Sequence, residues 1–129
     1  NRTLFQFLFH QYQIINDTQE ILRLQSGFAC TQDIQLIRYL LEIYFNSNLN
    51  IIRQNDILSG IRLICRNSIS INDCWSYVRS KWKYLLKNFG HYDFISFIQE
   101  LTKKFNTKQQ LNEFELVIEQ TMNQVRVML

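Results

Sequence analysis

The chain has 129 residues, of which 47% are apolar and 19% charged, and a formal net charge of +3. That length suits one domain with its own core, and that balance belongs to a globular rather than a disordered chain. Lys and Arg are scattered, without the dense basic stripe of a nucleic-acid binder, and no apolar run approaches the ~20 residues of a membrane-spanning helix.

There is no Pro, and there are only three Gly. A chain so poor in helix breakers is expected to be helical from end to end, in about seven helices joined by short polar turns. The first carries Leu4, Phe5, Leu8, Phe9 and Tyr12. After the turn Asn16-Asp17-Thr18, Asp17 and Glu20 suit the start of a second, which buries Ile21, Leu22, Leu24 and Phe28. Thr31, with Asp33 behind it, caps a third holding Ile34, Ile37, Leu40, Leu41 and Tyr44. Apolar residues cover two of its sides, so it is expected between neighbours.

The polar run 46–50 breaks the pattern, and a fourth helix starts near Ile52 and buries Ile57, Ile61 and Ile64. Asn67 and Ser68 end it, and Ser70 followed by Asp73 reads as a capping box with a shorter acid. It opens a helix that carries Trp75 and Trp82, whose seven-residue spacing puts both indoles on one face with Val78, Leu85 and Phe89. Lys81, Lys83 and Lys87 take much of the other side as a solvated face. Gly90 closes this helix as a left-handed cap. A sixth has Phe94, Phe97, Ile98, Leu101 and Phe105, and Asn106-Thr107 caps a last one with Leu111, Phe114, Ile118, Met122 and Val125 on one face. Helices joined by tight turns run alternately up and down, as a bundle or as a stacked solenoid, and periodicity does not choose between them. Residues 1–129 read as a single helical domain, and the start at Asn1 reads as a cut from something longer.

Catalytic groups do not stand out. His10 and His91 are the only histidines, and H-E-x-x-H is absent. Cys30, Cys65 and Cys74 form no C-x-x-C pair, a zinc site from Cys65, Cys74 and His91 fits no ligand spacing, and Cys74 reads as a small core residue. No G-x-S-x-G and no Gly-rich phosphate loop occurs, and Asp33 and Asp56 suit helix starts or ion pairs. Asn1-Arg2-Thr3 and Asn16-Asp17-Thr18 are glycosylation sequons at Asn1 and Asn16.

Several short words, in order, resemble the C-terminal helical domain of the aminopeptidase N family of zinc aminopeptidases. They are Glu20, Leu24 and Ala29-Cys30; Leu36 with Arg38-Tyr39-Leu40; Ile52-Arg53-Gln54-Asn55-Asp56; Asn67 before Trp75 and Trp82; and Phe105, Thr107 and Leu111. Asn55 stands where the family has Gln, Ser68 and Ser70 where it has Pro and Gly, and its Gly-Ser-Gly-x-Arg stretch is missing before Glu119-Gln120.

The resemblance implies an all-α fold, part of a HEAT- or armadillo-like α-solenoid of antiparallel helices. It implies a non-catalytic domain that closes over the catalytic domain of the same polypeptide, restricts the cavity to peptide substrates, and supports folding or a homodimer. No cofactor is expected in this chain; the zinc belongs to the parent enzyme. Arg38 and Arg53 would face the cavity, although Arg53 and Asp56 at i, i+3 also suit a structural pair. Cys30 matches a cysteine that ectoenzymes pair with a partner lying before residue 1, so it would be unpaired here. With the sequons, that implies a secreted, luminal or cell-surface parent. The competing expectation is a free-standing helical-repeat module that binds another protein through a groove.

Overall fold

The computed structural model describes residues 2–128, leaving aside the side chains of Ser47 and of residues 125–128. Among the described residues there are eight α-helices and no strand: α1 (Arg2–Ile14), α2 (Thr18–Ala29), α3 (Ile34–Phe45), α4 (Ile57–Arg66), α5 (Ile71–Ser80), α6 (Trp82–Phe89), α7 (His91–Thr102) and α8 (Lys108–Met128). Three short 3₁₀ turns, Ser47–Leu49, Gln54–Asp56 and Ser68–Ser70, lie between α3 and α5.

The all-α expectation holds, and the count rises from seven to eight because the helix of the two tryptophans is two helices. The break falls at Lys81, where φ is −113° and ψ is 23°. No Gly or Pro marks it. Ser80 instead donates its hydroxyl to the Tyr77 carbonyl at 2.9 Å, a local bond that competes with the helical ladder. The two indoles therefore meet different neighbours. Trp75 packs edge-on against Phe105, and Trp82 against Phe94.

Polar side chains set most helix starts. Asp17 accepts from the amides of Gln19 and Glu20 and opens α2. Asp33 accepts from Gln35 N and caps α3, while Thr31 steadies Asp33 from one turn outside. Thr107 accepts from Gln110 N, and the Gln110 side chain accepts in return from the amides of Asn106 and Thr107, a reciprocal box that starts α8. The box expected at Ser70 and Asp73 is not made. Ser70 is fully buried and gives its hydroxyl to the Ile64 and Asn67 carbonyls, and Asp73 pairs with Arg38.

Two boundaries also move. The fourth helix starts at Ile57 rather than near Ile52, because Arg53–Asp56 is engaged in an extended residue and a 3₁₀ turn. Gly90 has φ +80° as expected of a helix-ending glycine, but its ψ of 159° is not left-handed helical, and α7 begins at the next residue.

Helix α4 is the hub, in contact with α2, α3, α5 and α7. Its inner side, Ile57, Gly60, Ile61, Ile64 and Cys65, is buried against the fully enclosed Ile37, Leu40, Leu41 and Tyr44 of α3. The expectation that α3 lies between neighbours holds, since it meets α4 and α5. Gly60 is small for a reason: a Cβ there would lie 2.5 Å from Tyr44 Cζ and 2.6 Å from Gln25 Oε1. On the outer side of α4, Arg62 donates to Ser96 Oγ and Arg66 to Glu100, which ties it to α7.

Not every apolar position is covered. Leu22 on α2 and Leu4 on α1 are exposed. On α8, Leu111 is 50% and Met122 51% exposed, with Ile118 also open, so the expected buried face of the last helix is only partly buried in this chain. Val125 lies outside the described side chains.

Candidate functional site

Arg53 leads to the most connected polar cluster. Its backbone N–H donates to the Tyr12 hydroxyl at 3.1 Å, its guanidinium donates to the Tyr12 carbonyl at 2.9 Å, and the cation sits 5.0 Å over the Tyr12 ring. Tyr12 in turn donates its hydroxyl to Asp56 at 2.8 Å. The Arg53 and Asp56 side chains thus do not form an ion pair, although the Asp56 N–H donates to the Arg53 carbonyl; each side chain holds Tyr12, and together they fasten the end of α1 to the segment before α4. Burial pushes the Tyr12 phenol up to about 12, with a further push from the Asp56 bond and charge, against the Arg53 amide and cation that favour the phenolate.

One helix further in, the Tyr44 hydroxyl donates to Gln25 Oε1 at 2.5 Å, and Gln25 Nε2 donates to Ser59 Oγ at 3.4 Å. Ser59 in turn donates its hydroxyl to the Asp56 backbone carbonyl. Burial raises the Tyr44 pKa far above the ordinary phenol, helped by the Tyr12 and Asp56 charges. This chain of groups links α1, α2, α3 and α4 through polar atoms that have partners. It holds no nucleophile beside a base, and its geometry is that of a strut.

Arg38 is placed elsewhere. It is exposed on α3 and reaches Asp73 on α5 at 3.2 Å. The two arginines singled out in the sequence therefore bind different elements, one toward α1 and one toward α5, and no contact joins them.

The cysteines divide differently from the sequence reading. Cys65 and Cys74 form a disulfide with Cα atoms 5.8 Å apart, joining the end of α4 to α5. That bond takes up both thiols of the zinc arrangement with His91 that the spacing had already disfavoured, and Cys74 is a buried half-cystine rather than a free core thiol. Cys30 is free and exposed just after α2. Asn16 is exposed in the link between α1 and α2, and Asn1 lies outside the described residues. His10 and His91 are both exposed, and among the described residues no three His, Cys, Asp or Glu side chains gather to hold a metal.

Sequence reasoning passed over Gln25, and it read Tyr12 only as an apolar position of the first helix. The signal was there for Gln25: it interrupts the apolar stripe Ile21, Gln25, Phe28 at helical spacing, which marks a polar group inside the core. The disulfide had a weaker signal, two cysteines either side of a short turn.

A sequence model of the ERAP1-like C-terminal domain matches residues 1–125. The chain belongs to the ERAP1-like C-terminal domain family. The chain is 34% identical over 114 residues to aminopeptidase N of Bos taurus, with 84% of this chain and 12% of that protein covered. It is 30% identical to aminopeptidase N of Homo sapiens over 111 residues, again 84% of this chain and 11% of the relative. Against glutamyl aminopeptidase of Mus musculus the identity is 30% over 112 residues, or 86% of this chain. The chain thus spans about an eighth of the length of these curated relatives. The resemblance drawn from Trp75, Trp82 and the Arg53 word is a membership in this ERAP1-like domain family.

Proposed function

We propose that this chain is the non-catalytic C-terminal helical domain of a zinc-dependent aminopeptidase that removes N-terminal residues from peptides. In this reading its helices are one stretch of a HEAT- or armadillo-like α-solenoid. The solenoid closes over the catalytic domain of the same polypeptide, walls the peptide cavity, and supports folding or a homodimer contact. The family match across residues 1–125 carries the proposal. The exposed apolar residues of α1 and α8 support it, because a solenoid segment leaves apolar faces for the next repeat at either end.

The residues present do not fit a catalytic zinc. His10 and His91 stand alone on separate helices, and two of the three cysteines are bonded to each other. The metal and the bond-breaking groups are accordingly assigned to another domain, and no chemical step is assigned to this one. Arg38 and Arg53, already engaged by Asp73 and Tyr12, act in this reading as fasteners of the cavity wall. Among the described residues no helix is long and apolar enough to cross a membrane. The buried Cys65–Cys74 bond supports a parent that matures in an oxidising compartment, facing the lumen or the cell exterior, where the exposed Asn16 sequon would be glycosylated.

Two measurements test the proposal. The purified chain should bind no stoichiometric zinc and should not hydrolyse an aminoacyl-anilide, and the transcript upstream of Asn1 should encode an H-E-x-x-H helix. Hydrolysis that survives a chelator would overturn it. A start codon directly before Asn1, with no peptidase domain upstream, would also overturn it and favour a free-standing interaction module.

A further inference from the structure

A groove of about 380 Å³ opens where α5 breaks into α6, with α8 as its far wall. It continues along α5 and α8 into a second hollow of about 370 Å³ that shares Arg79, Ser80, Val117 and Gln120. Three cations, Arg79, Lys81 and Lys83, line the first part, and no carboxylate does. Lys81 and Lys83 are exposed, and neither pairs with an acid among the described residues. Glu113, in the continuation, is already engaged by Trp75 Nε1 at 3.3 Å and Arg79 Nη1 at 3.0 Å.

Donors collect in this groove, and its side-chain acceptors are the neutral oxygens of Ser80, Tyr84, Gln120, Thr121 and Gln124. Trp82 lines it, is only 9% exposed, and its buried Nε1 has no hydrogen-bond partner. Arg79 Nε is buried and unpartnered as well. The break at Lys81 adds a helix start: α6 has no side-chain cap, and its first residues, Trp82, Lys83 and Tyr84, line the groove. The first amides of a helix have no partner inside it and favour a negative charge. Buried N–H groups normally find an acceptor, so a cleft with two orphaned donors, an open helix start and unpaired lysines is built for an anion.

From this convergence we infer that the groove between the α5–α6 break and α8 binds an acidic peptide segment, its carboxylate received at the α6 start by Trp82 Nε1, Arg79 and Lys83. A peptide is favoured over a nucleic acid by the walls. Trp82, Tyr84 and Val117 give an apolar floor, and the cations span only about 6 Å of helix, too little to follow a phosphate backbone. That length suits roughly two extended residues, so both acids of a short peptide lie within reach of it. The inference is independent of the proposed peptidase parent, since it rests on groups within this chain.

The test uses the whole chain, labelled with ¹⁵N and titrated with the blocked tripeptide acetyl-Asp-Leu-Glu-amide. The indole N–H resonance of Trp82 should shift downfield and saturate. The neutral acetyl-Asn-Leu-Gln-amide should bind about tenfold more weakly or worse, as should the acidic peptide with the Lys81→Glu/Lys83→Glu variant. Both lysines are exposed, so an unchanged melting temperature shows that this variant keeps its fold. Trp82→Phe keeps an aromatic ring toward Phe94, removes the N–H donor along with part of the ring, and should weaken binding at an unchanged melting temperature. The inference is overturned if the neutral peptide binds equally, if the Trp82 resonance stays still, or if a short oligonucleotide of equal charge displaces the peptide at a lower concentration.

Discussion

The two ends of this domain bury large aromatic residues in different ways. In the helices up to α4, Tyr12 and Tyr44 carry their hydroxyls to Asp56 and Gln25, so both buried phenols have a partner. From α5 onward the tryptophans pack ring on ring with Phe105, Phe114 and Phe94, and Trp82 Nε1 is left without one. The first region is held in register by polar bonds that tolerate little displacement. The second is held by ring edges and by area, which tolerate a helix break and leave room for a groove. The Cys65–Cys74 bond ties α4, whose start carries the polar strut, to α5, whose end opens on the groove.

The contrast can be broken most forcefully in the aromatic region. Trp75→Ala removes a fully enclosed ring, its two Phe contacts and its bond to Glu113, and should cost about 3–5 kcal/mol in a urea denaturation. A loss below about 1 kcal/mol would mean that α8 does not depend on this ring for its seat. In the polar region the sharpest probe is a single methyl. Gly60→Ala drives a Cβ into the Tyr44 ring and Gln25, and should cost roughly 3 kcal/mol, near the top of the usual overpacking range. Adding Tyr44→Ala should return part of that loss, a coupling measured by the double-mutant cycle. If the two losses simply add, the close approach of α4 to α3 is not where the strut is set.

A gentler probe is alkaline pH. The folded Tyr12 phenol holds its proton to about 12 against an ordinary value of 10.0, and Tyr44 is raised in the same direction. A raised folded pKa means that the stabilising share is complete below pH 10 and is lost as the pH climbs from 10.0 through about 12. The melting temperature should therefore fall over that window, together with a delayed rise in tyrosinate absorbance. Tyr12→Phe should flatten the fall. A melting temperature that does not change across the window would show that the hydroxyl network contributes nothing, and the two regions would then differ in geometry alone.

Much of the fold was legible without coordinates. The absence of Pro, the stripes Ile57-Ile61-Ile64 and Phe94-Phe97-Leu101, and the caps at Asp17 and Asn106-Thr107 were sufficient for an all-α reading. Local chemistry determines such features, since a capping oxygen or an apolar stripe acts within one or two turns. The family was legible too, because short words at fixed order survive where single residues drift.

What remained hidden depends on contacts between distant parts of the chain. The break at Lys81 carries no breaker residue; it comes from the Ser80–Tyr77 bond and from the separate neighbours that Trp75 and Trp82 find. The Ser70–Asp73 box looked right in spacing, yet Arg38, thirty-five positions away, takes the acid. Arg53 was read against its near neighbour Asp56, and folding hands both of them to Tyr12 on the first helix. Sequence determines what each helix is able to offer. Only the tertiary structure decides which partner accepts the offer, because a polar group leaving water takes whichever acceptor the packed helices bring within reach.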